Sequence, residues 1–177
     1  MLEFNYLENP MTINIGDTLP KVTSFILAEN GGPLAINSEN LFLGKTVVLF
    51  GIVGAYTETC STSHLPGFLK HSDTLKKKGA DDIICLSVND AFVMAAWSKD
   101  HNVRKRIQMV SDGNALFVKK LGLELDLTNF GLGIRSQRFS MVIEDCIVKN
   151  LQRENPPTAD LPAANLTSAE HLLKVWQ

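Results

Sequence analysis

Cysteine is scarce in this sequence: the 177 residues contain three, Cys60, Cys85 and Cys146, and no two of them are near neighbours. This spacing excludes the Cys-x-x-Cys redox motif and the zinc sites built from paired thiolates. Because the cysteines are odd in number and widely scattered, they indicate reduced thiols, as is typical of a cytoplasmic protein.

The sequence also lacks an excess of positive charge and a long apolar run. Lys and Arg number 17 against 19 Asp and Glu, a formal net charge of −2, so we expect no nucleic acid partner. The longest apolar run, Thr46 to Tyr56, contains two glycines and is shorter than the roughly 20 residues that span a membrane. The first ten residues carry no Lys or Arg, unlike a secretory signal. We therefore expect neither a membrane span nor a targeting segment.

The length and the 45% hydrophobic content predict one domain with a sizeable core. We divide the chain into an N-terminal extension, residues 1–11, and a single domain, residues 12–177. Met11 is an alternative start, and a vector-derived or divergent extension is the other explanation of the first residues. Residues 154–157, Glu-Asn-Pro-Pro, form a breaker cluster before the last helix.

Strand and helix patterns alternate along the chain. Apolar runs predict buried strands at Lys45–Ile52, Asp82–Val88 and Ile107–Val110. Helical periodicity begins near Thr59 or Cys60 and ends at Lys76-Lys77-Lys78 before Gly79, where cations and glycine are favoured. Two further helices are predicted, from the Asn89-Asp90 cap through Trp97, and from the Asp112-Gly113-Asn114 turn to about Leu121.

The last third of the chain predicts a hairpin and a final helix. After a loop with three glycines, Arg138–Glu144 and Ile147–Leu151 are expected to be strands joined at Asp145-Cys146. Thr167 to Glu170 has the pattern of a capping box, which starts a helix ending at Trp176. The fold class is therefore α/β, with a mixed central sheet and helices on both faces.

Cys60 is the strongest candidate for chemistry, because it lies where a buried strand gives way to a helix. The free N–H groups and dipole of a helix N-terminus favour an anion, and the thiolate is the nucleophilic form of cysteine. Thr57, three residues earlier, can place its hydroxyl beside the sulfur, or it can act only as a helix cap. A guanidinium near Cys60 would stabilise a thiolate, and both Arg135 and Arg138 are suitable on chemical grounds.

Four segments resemble, in order, the atypical type II peroxiredoxins of the peroxiredoxin-5-like subfamily. They are Gly51–Phe68 around Cys60, Cys85–Met94 with Trp97, Gly122–Leu127, and Arg135–Val142, and the resemblance extends over residues 12–176. It implies a thioredoxin-like fold in which Cys60 is the peroxidatic cysteine, Thr57 orients the peroxide and Arg138 polarises both. Arg138 is chosen over Arg135 because it directly precedes the Phe-Ser-Met-Val strand.

The resemblance also implies an active-site loop that includes Val53, Gly54, Thr59 and His64. The family usually has proline where this chain has Val53; valine can shield the cysteine but does not fix φ, so a slower or more easily overoxidised site is expected. His64, four residues after Cys60, can be read as part of a metal pair, as a general base or as a structural histidine. We favour the structural role and expect no metal and no cofactor.

The resemblance implies a thiol-dependent peroxidase acting on hydrogen peroxide and small alkyl hydroperoxides, and a homodimer. Cys85 lies in an apolar strand and Cys146 in an exposed turn, and either is a possible resolving or modified thiol. We favour a cycle with Cys60 alone, reduced by glutathione, glutaredoxin or thioredoxin. The alternatives are a non-catalytic redox sensor or thiol relay on the same fold, and a general thiol–disulfide oxidoreductase, which the missing Cys-x-x-Cys motif disfavours.

Overall fold

The computed structural model describes residues 12–154 and 164–177, in which strands and helices alternate for most of the length. The strands are β1 (Thr23–Leu27), β2 (Pro33–Asn37), β3 (Thr46–Ile52), β4 (Asp82–Ser87), β5 (Gln108–Ser111), β6 (Glu124–Leu127), β7 (Gly133–Ser136), β8 (Phe139–Glu144) and β9 (Ile147–Arg153). The α-helices are α1 (Ser38–Phe42), α2 (Leu65–Lys78), α3 (Ala91–Asp100), α4 (Leu116–Leu121) and α5 (Ala169–Val175). The predicted extension and the residues from Asn155 to Pro157 lie outside the described ranges.

Seven strands form one mixed sheet in the order β2-β1-β5-β4-β3-β8-β9, and β6 pairs with β7 in a separate small sheet. The three central strands β3, β4 and β5 are parallel, whereas β8 lies antiparallel to β3 and β9 antiparallel to β8. Parallel strands place their carboxyl ends at one edge of a sheet, the edge at which α/β proteins usually bind ligands. The segments that follow β3, β4 and β5 therefore meet at that edge.

Helices cover both faces of the sheet, which confirms the predicted thioredoxin-like α/β architecture. On one face, β3 contributes Phe50 to an apolar cluster that includes residues of α2, α3 and α5. On the other face, Leu49 of the same strand packs with residues of α1 and α4. Since successive side chains of a strand point to opposite faces, a strand buried on both sides needs a continuous apolar run. Thr46–Ile52 has such a run, with a small residue only at Gly51.

Two parts of the structure differ from the sequence-based prediction. No strand is predicted before Lys45, yet β1 and β2 form a hairpin whose turn uses Gly31 at φ 86°. The predicted glycine-containing loop is also partly ordered into β6 and β7, which pair from Glu124↔Ser136 to Leu127↔Gly133. Both hairpins consist of strands of five residues or fewer. Such strands are too short to give a clear alternation of apolar and polar residues.

The capping box predicted at Thr167 is wrong by one residue. The N-cap of α5 is Ser168, whose side chain accepts a hydrogen bond from the backbone N–H of His171. Thr167 instead donates both its backbone N–H and its hydroxyl to one carboxylate oxygen of Glu154, each at 2.9 Å. This buried contact joins the end of β9 to the start of α5.

Within residues 12–154 and 164–177, every helix is too short or too polar to cross a membrane.

Candidate active site

Cys60 lies at the carboxyl edge of the central strands. It follows a loop that begins at Val53, directly after β3, and is seven residues beyond Val53. It is wholly buried, and Val53 belongs to the same apolar cluster. The side chain of Val53 therefore helps to keep bulk water from the sulfur. The loop between them turns at Tyr56, a non-glycine residue at φ 64°, which is a costly conformation that clusters at functional sites.

The helix predicted to begin at Thr59 or Cys60 is already helical at Glu58 and Thr59, and it passes through a π-helical turn, Cys60–His64, before α2 begins at Leu65. The Leu65 N–H donates to the carbonyl of Cys60, five residues back. Hydroxyl groups in the turn also bond to the backbone: Thr62 donates to the Glu58 carbonyl and Ser63 to the Thr59 carbonyl. Such i to i−4 side-chain bonds bend helices, and single π turns are frequent at functional sites.

Thr57 is half-buried at the mouth of the site, one turn before Cys60. Its hydroxyl donates a 2.8 Å hydrogen bond to the Gly54 carbonyl, and its own carbonyl accepts from the N–H of Ser61. Since the hydroxyl proton is used within the loop, the oxygen lone pairs remain free to accept a hydrogen bond. Thr57 is thus suited to accept the O–H of a hydroperoxide.

Arg138 reaches the same edge because β8 runs antiparallel to β3. Phe139 is paired with Gly51, so Arg138 lies beside the end of β3, where the active-site loop begins. Arg138 is buried, and its positive charge is close enough to His64 to lower the pKa of that imidazole. The positive charge of Arg138 therefore acts on the turn that carries Cys60.

His64 is buried between aromatic rings and bound to the C-terminal segment. Its ring lies 5.3 Å from Phe50 and 5.6 Å from Phe68 between centroids, and Nε2 is 3.1 Å from the carbonyl oxygen of Thr167. Burial, opposed by the Thr167 contact and reinforced by Arg138, lowers the pKa of His64 to about 4. The ring is therefore neutral at pH 7, with Nε2–H as the donor to Thr167, and it links the π-helical turn to the start of α5.

Arg135, the other candidate arginine, lies beside the loop. Its Nη1 is 2.5 Å from the position that a Cβ on Gly54 would occupy, and the Thr57 methyl is 3.3 Å from that point. Only glycine at position 54 leaves room for this approach. The site therefore contains two arginines, with Arg138 buried and Arg135 half-buried.

Asn89 and Trp97 support the site in ways that sequence reasoning missed. Asn89 does not cap α3, a role that Asp90 fills by accepting from the N–H of Val93. The Asn89 side-chain oxygen instead accepts from the backbone N–H of Ala55 at 2.9 Å. The indole of Trp97 donates to the Ser61 hydroxyl at 3.0 Å. The sequence signal for Asn89 is its place two residues after β4, a buried parallel strand.

Cys85 and Cys146 differ from Cys60 in their surroundings. Cys85 is wholly buried, and burial, with a smaller effect of the nearby Cys60, raises its pKa well above the usual range. Cys146 was expected to be exposed but is half-buried, because it packs against the second apolar cluster. Burial and the carboxylates of Asp145 and Glu39 raise the pKa of Cys146. Both groups are therefore thiols at pH 7, the poorly nucleophilic form.

The hairpin predicted around Cys146 is confirmed, with Asp145 at φ 49° and Cys146 at φ 66° in a two-residue turn. Among the described residues, no cluster of three or more His, Cys, Asp or Glu side chains could hold a metal ion.

The chain is similar to several known proteins over most of its length. The Redoxin family profile matches residues 14–169. In sequence, the chain is 43% identical to Peroxiredoxin-2D of Arabidopsis thaliana over 92% of this chain and 97% of the relative. In structure, it resembles reduced Prx3 from Vibrio vulnificus in complex with hydrogen peroxide, with a TM-score of 0.84 and 44% identity over 92% of this chain and 98% of that one. It also resembles peroxiredoxin 5 from Alvinella pompejana, with a TM-score of 0.73 and 32% identity over 82% of this chain and 92% of that one.

Proposed function

This chain belongs to the peroxiredoxin family and is a peroxidase oxidoreductase, and on that premise we propose that Cys60 is its peroxidatic cysteine. The observation that supports the proposal is that Cys60, Thr57 and the buried Arg138 all lie at the carboxyl edge of the central strands. Burial raises the pKa of Cys85 and of Cys146, which disfavours the reactive thiolate in both.

In the proposed reaction, the Cys60 thiolate attacks one oxygen of the hydroperoxide in line with the O–O bond. A sulfur–oxygen bond forms, the O–O bond breaks, and the distal oxygen leaves with a proton as water or an alcohol. Sulfur is oxidised to a sulfenic acid and the peroxide is reduced. Thr57 accepts the O–H of the bound hydroperoxide, while Arg138 stabilises the thiolate and the charge that develops on the leaving oxygen.

The sulfenic acid is reduced by an external thiol in a cycle that uses Cys60 alone. A resolving cysteine attacks as a thiolate, and the raised pKa values of Cys85 and Cys146 disfavour that form in both. Glutathione, glutaredoxin or thioredoxin supplies the electrons, in a compartment with reduced thiols such as the cytoplasm. The similarity to peroxiredoxin 5 from Alvinella pompejana supports placing the chain in the atypical type II subfamily.

A homodimer is proposed across an apolar rim, which we define as the exposed side chains of Phe92, Leu116, Phe130 and Leu132. Phe92 lies in the first turn of α3, and Leu116 begins α4 just after Gly113, which packs on Asp90. Leu132 accepts a hydrogen bond from Arg135 beside the active-site loop. Leu132 therefore lies near the candidate site through its bond with Arg135, and an interface at the rim would remove its four side chains from water.

The experiment measures peroxide consumption by the native chain and by Cys60→Ser, with glutathione plus glutaredoxin and separately with a thioredoxin system. We expect turnover in the native chain with at least one reductant and none in Cys60→Ser. Cys85→Ser and Cys146→Ser serve as matched controls and are expected to retain turnover. Activity that survives in Cys60→Ser, or a disulfide between Cys60 and either other cysteine in mass spectra, would contradict the proposed cycle.

A further inference from the structure

Arg135 is a half-buried cation for which peroxide reduction by Cys60 gives no role. It lies in β7, and its Nε donates a 2.8 Å hydrogen bond to the backbone carbonyl of Leu132. That bond uses one of the five N–H groups of the guanidinium and fixes its plane. Within residues 12–154 and 164–177, its two terminal nitrogens, Nη1 and Nη2, form no hydrogen bond.

These terminal nitrogens lie at the entrance to the active-site loop. Nη1 is 2.5 Å from the point at which a Cβ of Gly54 would stand, and the Thr57 methyl and Asn89 side-chain oxygen are within 3.5 Å of the same point. Thr57 in turn is one helical turn before Cys60. The guanidinium therefore lies beside Gly54 and Thr57, in the loop that precedes Cys60.

No carboxylate of the described residues forms an ion pair with Arg135. Ion pairs in this part of the chain have Lys21, Lys45, His71 and Lys149 as cations, and Arg135 takes part in none of them. Asp100 instead accepts a 2.8 Å hydrogen bond from the Tyr56 hydroxyl. Arg135 thus presents an unneutralised, oriented pair of N–H donors, an arrangement that matches the two oxygens of a carboxylate.

We infer that Arg135 binds a carboxylate on the molecule that reacts at Cys60, and so acts as a specificity residue of the site. This inference rests on the proposed function of Cys60. Two kinds of molecule can bring a carboxylate there: the reducing thiol, or an organic hydroperoxide that carries an acid group.

When the reducing thiol carries the carboxylate, the thiol attacks the sulfenic acid, a sulfur–sulfur bond forms, and the hydroxyl leaves with the thiol proton as water. A second thiol then releases Cys60 as a thiol and the pair of reductant molecules as a disulfide.

The test measures the ratio of the rates with an acidic and a neutral compound rather than either rate alone. A variant that slows both reactions equally leaves this ratio unchanged. In the thiol arm, Cys60 is first oxidised with one equivalent of hydrogen peroxide, and its reduction by 3-mercaptopropionate is compared with reduction by the neutral 2-mercaptoethanol. In the peroxide arm, oxidation of Cys60 by a short hydroperoxide ending in a carboxylate is compared with oxidation by tert-butyl hydroperoxide. Each ratio is taken for the native chain, Arg135→Met and Arg135→Lys.

We expect Arg135→Met to lower the acid-to-neutral ratio about tenfold in at least one arm, a change equivalent to about 1.4 kcal/mol. The arm that responds identifies the source of the carboxylate. Arg135→Lys, which keeps the charge but loses the planar fork, should retain part of the preference. Gly54→Ala provides a second variant, because its methyl group would displace the guanidinium without removing it. It should lower the same ratio.

The matched control is Arg104→Met, which removes an exposed arginine from the loop between α3 and β5. The inference is overturned if both ratios are unchanged in Arg135→Met, or if Arg104→Met lowers them equally. Failure of the proposed function has a different signature, since native Cys60 would then remain unoxidised by hydrogen peroxide in the first step. That result would remove both proposals together.

Discussion

Val53 stands where the family that the sequence resembles usually has proline. It is buried in the same apolar cluster as Cys60, and a valine leaves φ free where a proline would fix it. Val53→Pro would reduce the conformational freedom of the loop, and replacements by proline at compatible sites contribute about 0.4–1 kcal/mol. We expect oxidation of Cys60 by hydrogen peroxide to become about two- to fivefold faster, or overoxidation to sulfinic acid to fall by a similar factor.

Stopped-flow oxidation kinetics and the mass of Cys60 under excess peroxide measure these two effects. Identical rates and identical overoxidation in the native chain and Val53→Pro would show that valine is no handicap at this position.

Gly51 is required by the packing of β3 against β8. A Cβ at Gly51 would stand 2.1 Å from a ring carbon of Phe139, which is itself wholly buried. Gly51→Ala should therefore lower the free energy of unfolding by about 1–3 kcal/mol, the usual cost of overpacking a core. Urea denaturation measures this change. Gly32→Ala is the matched control, because its nearest contact would be an ordinary 3.7 Å from Asn30, and it should leave stability nearly unchanged.

At the scale of elements, His64 connects the π-helical turn to α5 through its contact with the Thr167 carbonyl. Its pKa of about 4 lies below the usual 6.5 because burial disfavours the charged ring. Between these two values the unfolded chain binds a proton that the folded chain does not. The contribution of His64 to stability is therefore complete above pH 6.5 and is lost as the pH falls toward 4.

We expect His64 to contribute a slope of about 1.4 kcal/mol per pH unit to the free energy of unfolding within this window. Urea denaturation between pH 6.5 and 5 measures it, and His64→Gln should lack that part of the slope. The range avoids Glu170, whose pKa is lowered below its usual 4.5 and which titrates in stronger acid. An equal slope in the native chain and His64→Gln would contradict a neutral, buried His64.

Local sequence predicted the central elements well, because β3 and β4 are continuous apolar runs and α2 ends at three lysines and a glycine. It also placed Thr57 near Cys60, since three residues make one helical turn. The position of Arg138 depends on the antiparallel register of β8 against β3, which local periodicity does not determine. The choice of Arg138 over Arg135 therefore came from the resemblance to a known family. The structure shows that Arg135 also lies beside the active-site loop.

A contact with a distant segment explains why Ser168, and not the predicted Thr167, caps α5. Thr167 and Ser168 are both good capping residues, so the sequence alone favours either. The carboxylate of Glu154, at the other end of the segment between β9 and α5, binds the N–H and hydroxyl of Thr167. Ser168 is left to cap the helix. The local sequence around α5 does not show that Glu154 binds Thr167.

At the scale of the whole molecule, the apolar rim predicts self-association. Phe92 is 55% exposed and lies at the start of α3, beside the candidate site. Phe92→Glu should convert a dimer to a monomer, because it would bury a charge in the interface without a partner. Analytical ultracentrifugation measures the mass. Leu34→Glu, at a leucine that is 51% exposed on the outer strand β2, should leave the dimer intact. A monomeric native chain, or a dimer that survives Phe92→Glu, would contradict this interface.

Cys60 is the one sulfur among three that peroxide is expected to oxidise. The most direct test treats the native chain with one equivalent of hydrogen peroxide in the presence of a trapping reagent for sulfenic acid, and then maps the adduct by peptide mass spectrometry. We expect an adduct on Cys60, none on Cys85 or Cys146, and no adduct in Cys60→Ser. An adduct on Cys85 or Cys146 with Cys60 unmodified would contradict this expectation.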